Sequence, residues 1–284
     1  MYTMNGYGSP PTLFKSTDAG ATWTNLFTSP LFTTSSNMGG TFQYGGFVRS
    51  FDVDAADPTH LIVAFHENCM GPIAAMSPDV VNGAVMCLGE SRDGGDTWNL
   101  FEGPIPATSA DGGAPTILGA NELIYTNPGD GSGTGWYMGD ANRALSSWSQ
   151  IFTYGMTGPF YALNQAGGYF DADGALYMGG ANGVFSTQPG SSFGQTWSMV
   201  AGGPQSVIVG GDGRSAADGG MLFASGMNPT DHVYTGSVDG TIPWMTMTTP
   251  PEITTGLQTF AYDTAHHVLY GAGWSEGLWR VVTY

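Results

Sequence analysis

Short apolar runs broken by glycine-rich turns, a turn motif that occurs twice, and tryptophans that recur at near-constant intervals together predict an all-β fold. The form they predict is a six-bladed β-propeller of four-stranded antiparallel blades, incomplete at its N-terminus. The first observation is compositional. Among 284 residues there are 45 Gly and 17 Pro, and only 10% are charged. No amphipathic stretch of helical period reaches useful length, and that mixture suits many short strands joined by turns. The second is the pair Ser16-Thr17-Asp18-Ala19-Gly20-Ala21-Thr22-Trp23 and Ser91-Arg92-Asp93-Gly94-Gly95-Asp96-Thr97-Trp98, which share S-x-D-x-G-x-T-W. The third is the series Trp23, Trp98, Trp148, Trp197 and Trp244, spaced by 75, 50, 49 and 47 residues. A four-stranded blade takes about 40–50 residues. The first spacing is longer because two insertions, 28–46 and 66–83, fall within it.

With the strands of a blade lettered A to D from the axis outward, the elements follow in order. Residues 2–7, 13–16 and 22–27 read as B, C and D of a partial first blade, 1–28, that lacks A. The next blade has A at 47–53, B at 60–65, C at 84–91 and D at 97–101. Asp57-Pro58 turns A into B, because proline cannot donate to a ladder and aspartate favours the turn. Then come A 115–120, B 123–127, C 135–139, D 147–152, followed by A 167–172, B 175–180, C 183–187, D 196–200. A further set runs A 205–210, B 221–226, C 232–238, D 243–248, and the chain closes with 258–263, 268–273 and 278–283 as A, B and C. That makes 22 strands where six full blades need 24. Unpaired edges at both ends would be an aggregation hazard. The expectation is a single domain, 1–284, whose natural chain continues upstream, with Met1 a truncated or internal start.

The eight-residue motif has a local task. An aspartate carboxylate and a serine hydroxyl can accept turn amides, glycine tolerates positive φ, and the tryptophan lays an apolar face over the turn. Degenerate copies precede later tryptophans: Ser192-Phe193-Gly194-Gln195-Thr196-Trp197 keeps the ending, and Ser237-Val238-Asp239-Gly240-Thr241 keeps Ser and Asp. The pattern resembles the Asp-box, or BNR repeat, of bacterial sialidases, xyloglucanase-like enzymes of glycoside hydrolase family 74 and related β-propellers. The resemblance implies that Ser16, Asp18, Gly20 and Trp23, with Ser91, Asp93, Gly95 and Trp98, are structural residues of C–D turns. It implies glycan chemistry as the function. The sialidase version fits poorly, since that family gathers three arginines on its substrate carboxylate and carries an F/Y-R-I-P motif absent here. An intracellular assembly factor of the photosystem type also resembles such propellers, but the acidity and the cysteine placement argue against it.

Net charge is −17, from 23 Asp+Glu against six Lys+Arg. With no basic stripe, nucleic acid and anionic membrane surfaces are repelled. No apolar run reaches transmembrane length, and no signal peptide is visible at Met1. The expected location is extracellular or periplasmic, with any leader upstream of this chain. Cys69 and Cys87 flank the long B–C connection. They read either as a loop-closing disulfide, worth roughly 3 kcal/mol, or as two buried thiols.

In this topology A–B and C–D turns share one face, while B–C and D–A loops share the other. The insertion at 28–46 is a D–A loop and that at 66–83 a B–C loop, so the functional face is expected opposite the Asp-boxes. Candidate acids there are Glu67, Glu276 and Asp111, because glycoside hydrolysis uses paired carboxylates. Candidate ligand contacts are Arg49, His66, Tyr44, Trp274 and Asp231. Each has a plainer reading. Glu67 and His66 could be solvated loop residues, Arg49 an ion-pair partner of Asp52, and Trp274 a packed ring instead of a sugar platform. His266-His267 reads as surface, and Asp171-Ala172-Asp173-Gly174 as a turn lacking the distal glutamate of a calcium loop. No metal or cofactor is expected. The expected partner is a neutral oligo- or polysaccharide, met either as a hydrolase substrate or by a non-catalytic binding or scaffold module of a larger secreted protein.

Overall fold

In the computed structural model the described residues are 1–5, 12–18, 20–28, 48–65, 87–103, 113–119, 122–127, 135–140, 148–152, 168–180, 182–205, 207–226, 232–254, 256–273 and 277–283. Among them are 22 strands and no helix. The strands form six antiparallel sheets, and each sheet takes its strands in sequence order.

The chain divides into two compact units. The first holds three sheets: β1 (Tyr2–Asn5), β2 (Thr12–Lys15) and β3 (Thr24–Asn25); β4 (Val48–Val53), β5 (Leu61–Phe65), β6 (Cys87–Ser91) and β7 (Asn99–Glu102); and β8 (Pro115–Gly119), β9 (Glu122–Asn127), β10 (Gly135–Asp140) and β11 (Ser149–Phe152). The second holds β12 (Tyr169–Phe170), β13 (Leu176–Gly180), β14 (Gly183–Thr187) and β15 (Ser198–Met199); β16 (Val207–Gly211), β17 (Met221–Gly226), β18 (Val233–Ser237) and β19 (Met245–Thr246); and β20 (Leu257–Asp263), β21 (Val268–Gly273) and β22 (Gly277–Val282). The three-stranded sheets at the two ends of the chain and the four full sheets between them fall where the sequence places them. The outer strands β3, β15 and β19 are shorter than expected, at two residues each. Their solvent-facing position explains this: both residues of β15 and of β19 are exposed, so little burial rewards further pairing.

Strand β5 shows how the sheets of the first unit pack. All five of its residues are buried. Leu61, Val63 and Phe65 enter one apolar cluster with Leu13, Leu26, Phe27 and Trp98. Ile62 and Ala64 enter another with Leu88, Ile117, Leu123 and Tyr125. Alternation in a strand sends successive side chains to opposite faces, so a continuous apolar run is what a sheet covered on both sides requires. In the second unit β16 is likewise fully buried, and Val207 and Val209 join Ala175, Tyr177, Leu222 and Ala224. Phe223, on the opposite face of β17 from Leu222, stacks on Tyr262 of β20 with ring centroids 6.0 Å apart.

The tryptophan series has a packing cause. A Cβ placed on Gly139 of β10 would lie 2.8 Å from the Trp148 ring, and one on Gly236 of β18 would lie 2.9 Å from the Trp244 ring. In these two sheets the outer strand thus follows a tryptophan packed against a glycine of the third strand.

Candidate functional site

At one end of the sheets lie the turns that carry the repeated motif. Ser16 Oγ donates to Asp18 Oδ1 (2.8 Å) and accepts the Gly20 amide (2.8 Å), while Asp18 accepts the Thr22 amide (2.8 Å) and hydroxyl (2.5 Å). The second copy repeats these four bonds at the same lengths, from Ser91, Asp93, Gly95 and Thr97. Ser237, Asp239 and Thr241 build a third such turn. Bonds from the Thr side chain and amide hold the carboxyls of Asp18 and Asp93 at about 2, and a bond from Ser237 leads the same effect at Asp239. These carboxylates accept hydrogen bonds inside their own turns. They are placed to hold backbone.

Gly95 has φ +100, and a Cβ there would meet Leu26 of the first sheet at 2.5 Å. Both the turn and the neighbouring sheet therefore require glycine. Trp98 is 9% exposed, donates to the Gly95 carbonyl (2.9 Å) and meets Phe27 edge-on. Trp23 also lies over its turn, its Cζ2 3.5 Å from a Cβ placed on Gly20, while staying 40% exposed. In the degenerate copy, Trp197 donates to Gly194 (2.8 Å) as Trp98 does to Gly95, but the hydroxyl under the glycine belongs to Thr187. Three extra residues between Thr187 and Gly194, relative to Ser91 and Gly95, hide this substitution from a motif search.

The same end holds a cluster that motif reading missed. His60, at the start of β5, lies between Asp54 Oδ2 (3.1 Å from Nδ1) and Glu90 Oε1 (2.9 Å from Nε2), and Arg92 reaches the same Glu90 oxygen at 3.0 Å. A signal existed: Asp54 and His60 bracket the Asp57-Pro58 turn, and Glu90 immediately precedes the motif's Ser91. The two turns also touch directly, the Gly94 amide donating to the Thr59 carbonyl (2.8 Å). A–B and C–D turns therefore do share one end in this sheet. They do so again in the sheet β16–β19, where the Val238 amide donates to Gly220. Asp171 is buried and accepts the amides of Asp173 and Ala175 and the Tyr177 hydroxyl, which accounts for its turn without a metal. His266 is exposed as expected but has a carboxylate partner, Asp263, at 2.7 Å.

The other end of the β4–β7 sheet is where 28–46 enters β4 and 66–83 leaves β5. Val48 pairs with Phe65 and Ser50 with Ala64, so Arg49 is the extra residue of a bulge. Bulges re-aim a side chain, and Arg49 is only 5% exposed. Its charge acts on Tyr125, whose phenol accepts the Gly113 amide; burial nevertheless pushes that phenol well above its ordinary value. Ser50 donates to the Gly113 carbonyl (2.6 Å), and Asp52 accepts the Ile117 amide (2.7 Å), so β4 and the entry to β8 are stitched by side chains. Burial raises the Asp52 carboxyl to about 6, against the lowering effect of the Ile117 bond. Arg49 lies at this loop end. Tyr44, His66, Glu67, Asp111, Asp231, Trp274 and Glu276 lie outside the described residues. So do Cys69 and the side chain of Cys87; no disulfide occurs among the described residues, and the expected bond is not supported.

No protein-family model matches the chain, and no curated protein sequence does. Solved structures do match. A family 74 xyloglucanase from Xanthomonas campestris superposes with TM-score 0.59 at 16% identity, over 99% of this chain and 42% of that one. PorZ, a surface component of the type-IX secretion system of Porphyromonas gingivalis, gives 0.58 at 15% identity, over 99% and 45%. YCF48 from Cyanidioschyzon merolae gives 0.51 at 15%, over 96% and 75%. The fold is propeller-like. At such identities the likeness concerns fold alone, and the chain spans 39% of one family 74 enzyme and 42% of another.

Proposed function

We propose that this chain is a glycan-directed β-propeller domain, six-bladed, of an extracellular or periplasmic protein. Its ligand is a neutral oligo- or polysaccharide taken at the loop end of the sheets. The observation that carries the reading is the division of labour between the two ends in the first unit. At the turn end the carboxylates of Asp18, Asp93, Asp54 and Glu90 are engaged with turn amides, hydroxyls or His60. At the loop end a scarce cation, Arg49, is buried at a bulge beside Tyr125 where the two long insertions begin and end. The net charge of −17 favours a neutral ligand over an anionic one. The xyloglucanase and PorZ likenesses support a glycan-related or scaffold role and a location outside the cytoplasm. In this proposal Glu67, Glu276 and Asp111 supply acid and base or nucleophile, and Arg49, His66, Tyr44, Asp231 and Trp274 supply hydrogen bonds and ring stacking. The alternative is a non-catalytic carbohydrate-binding or adhesion module, in which the same residues bind without turnover; PorZ, a surface component, favours it.

The deciding experiment incubates the chain with a panel of neutral oligosaccharides, following reducing-end release and binding heat for the parent, Glu67→Gln and Glu276→Gln. Under hydrolysis one variant loses turnover while keeping its melting temperature. Under binding alone the parent shows no release and both variants bind more weakly. A parent that neither binds nor cleaves any neutral glycan contradicts the proposal.

A further inference from the structure

We propose that His60 is a pH-sensitive latch: as an imidazolium it ties the 54–60 turn to the 90–97 turn of the sheet β4–β7, and on losing its proton it releases them. With both carboxylates ionised, the geometry requires the charged ring. Both ring nitrogens face carboxylate oxygens, at 3.1 Å and 2.9 Å, and His60, Asp54 and Glu90 are 2%, 7% and 3% exposed. An ionised carboxylate only accepts, and a neutral imidazole has a single N–H, so only the imidazolium can donate to Asp54 and Glu90 together. With Arg92 on Glu90 the four groups carry two negative and two positive charges. Removing the His60 proton leaves a net negative charge beside a nitrogen lone pair that faces a carboxylate, with little water to screen it.

The surroundings sharpen the effect. Asp57, in the 54–60 turn, adds negative charge near the ring while binding the Thr59 amide and hydroxyl, and Asp52 on β4 also couples to His60. Arg92 opposes the proton. From the first sheet, Lys15 reaches the Gly94 carbonyl (3.2 Å) and the Tyr2 hydroxyl reaches the Pro58 carbonyl (2.9 Å), so both engage backbone of the latched turns. The Glu90 hydrogen bond, ahead of the opposing cost of burial, holds the His60 pKa above its ordinary 6.5. A raised folded pKa means that the latch contributes fully below the unfolded value and is lost as pH rises through the folded one. The bonds that then yield are Gly94 N–H to Thr59 O (2.8 Å) and Asp54 N–H to His60 O (3.0 Å).

The test follows the His60 ring by NMR across the alkaline range and, on the same chain, the exchange of the Gly94 and Asp54 amides relative to amides of β17. The latch predicts titration above 6.5, with loss of Gly94 and Asp54 protection over the same span. In Glu90→Gln both events move to lower pH together; in His60→Gln the pH dependence of protection disappears. A His60 that titrates at or below 6.5 overturns the proposal. So does a titration above it that leaves the relative protection of Gly94 and Asp54 flat, in the parent or in Glu90→Gln.

Discussion

Ser91 shows what a single residue of the repeated turn contributes. It is 1% exposed and its hydroxyl both accepts the buried Gly95 amide and donates to Asp93. Ser91→Ala leaves that amide without its partner, so a loss of about 1–3 kcal/mol is expected in denaturant unfolding. The turn aspartates make a second prediction at this scale. Asp18, Asp93 and Asp239 are held at about 2 in the folded chain, against an ordinary 3.8. A depressed folded pKa means stability present above the unfolded value and lost as pH falls through the folded one. Melting temperature should therefore drop as pH falls from about 4 toward about 2, and Asp93→Asn should flatten that slope. The motif announced these residues because its hydrogen bonds are local in sequence. The motif did not include His60, whose partners Asp54 and Glu90 meet only once β4, β5 and β6 are paired.

Strand β5 is the element on which the first unit turns. Leu61 is wholly buried between sheets, so Leu61→Ala should cost about 2–5 kcal/mol, the range for a core cavity that relaxes poorly. Val282, 63% exposed on β22, should tolerate alanine within about 0.5 kcal/mol. The glycines beneath the tryptophans work in the opposite sense. Gly236→Ala sets a methyl 2.9 Å from the Trp244 ring and should destabilise by about 1–3 kcal/mol, measured by the same unfolding curve. Strand order and sheet membership were legible because short apolar runs, glycine turns and recurrent tryptophans are all short-range signals. The outer strands were overextended because their ends are decided by exposure, which an apolar run does not encode. The bulge at Arg49 is a register property of β4 against β5, and no single-strand pattern carries it.

For the whole molecule, composition spoke to partners more than to chemistry. Twenty-three acids against six bases set a repulsive field against a polyanion, and a propeller-like fold at 16% identity to a xyloglucanase leaves activity open to experiment. Of the acids proposed for catalysis, Glu67 and Asp111 fall in the long connections β5–β6 and β7–β8 and Glu276 in the three residues between β21 and β22, where sequence alone fixes neither position nor distance, whereas Arg49 is held by a paired strand. The central claim is that the turn end is structural and the loop end functional. Its most direct test is calorimetric titration of a neutral oligosaccharide into the parent, Asp93→Asn and Glu67→Gln, with melting temperatures recorded alongside. The account predicts that Asp93→Asn melts lower yet binds like the parent, while Glu67→Gln melts like the parent and loses binding or turnover. An Asp93→Asn chain that loses the glycan at unchanged melting temperature, beside a Glu67→Gln chain indistinguishable from the parent, would contradict it.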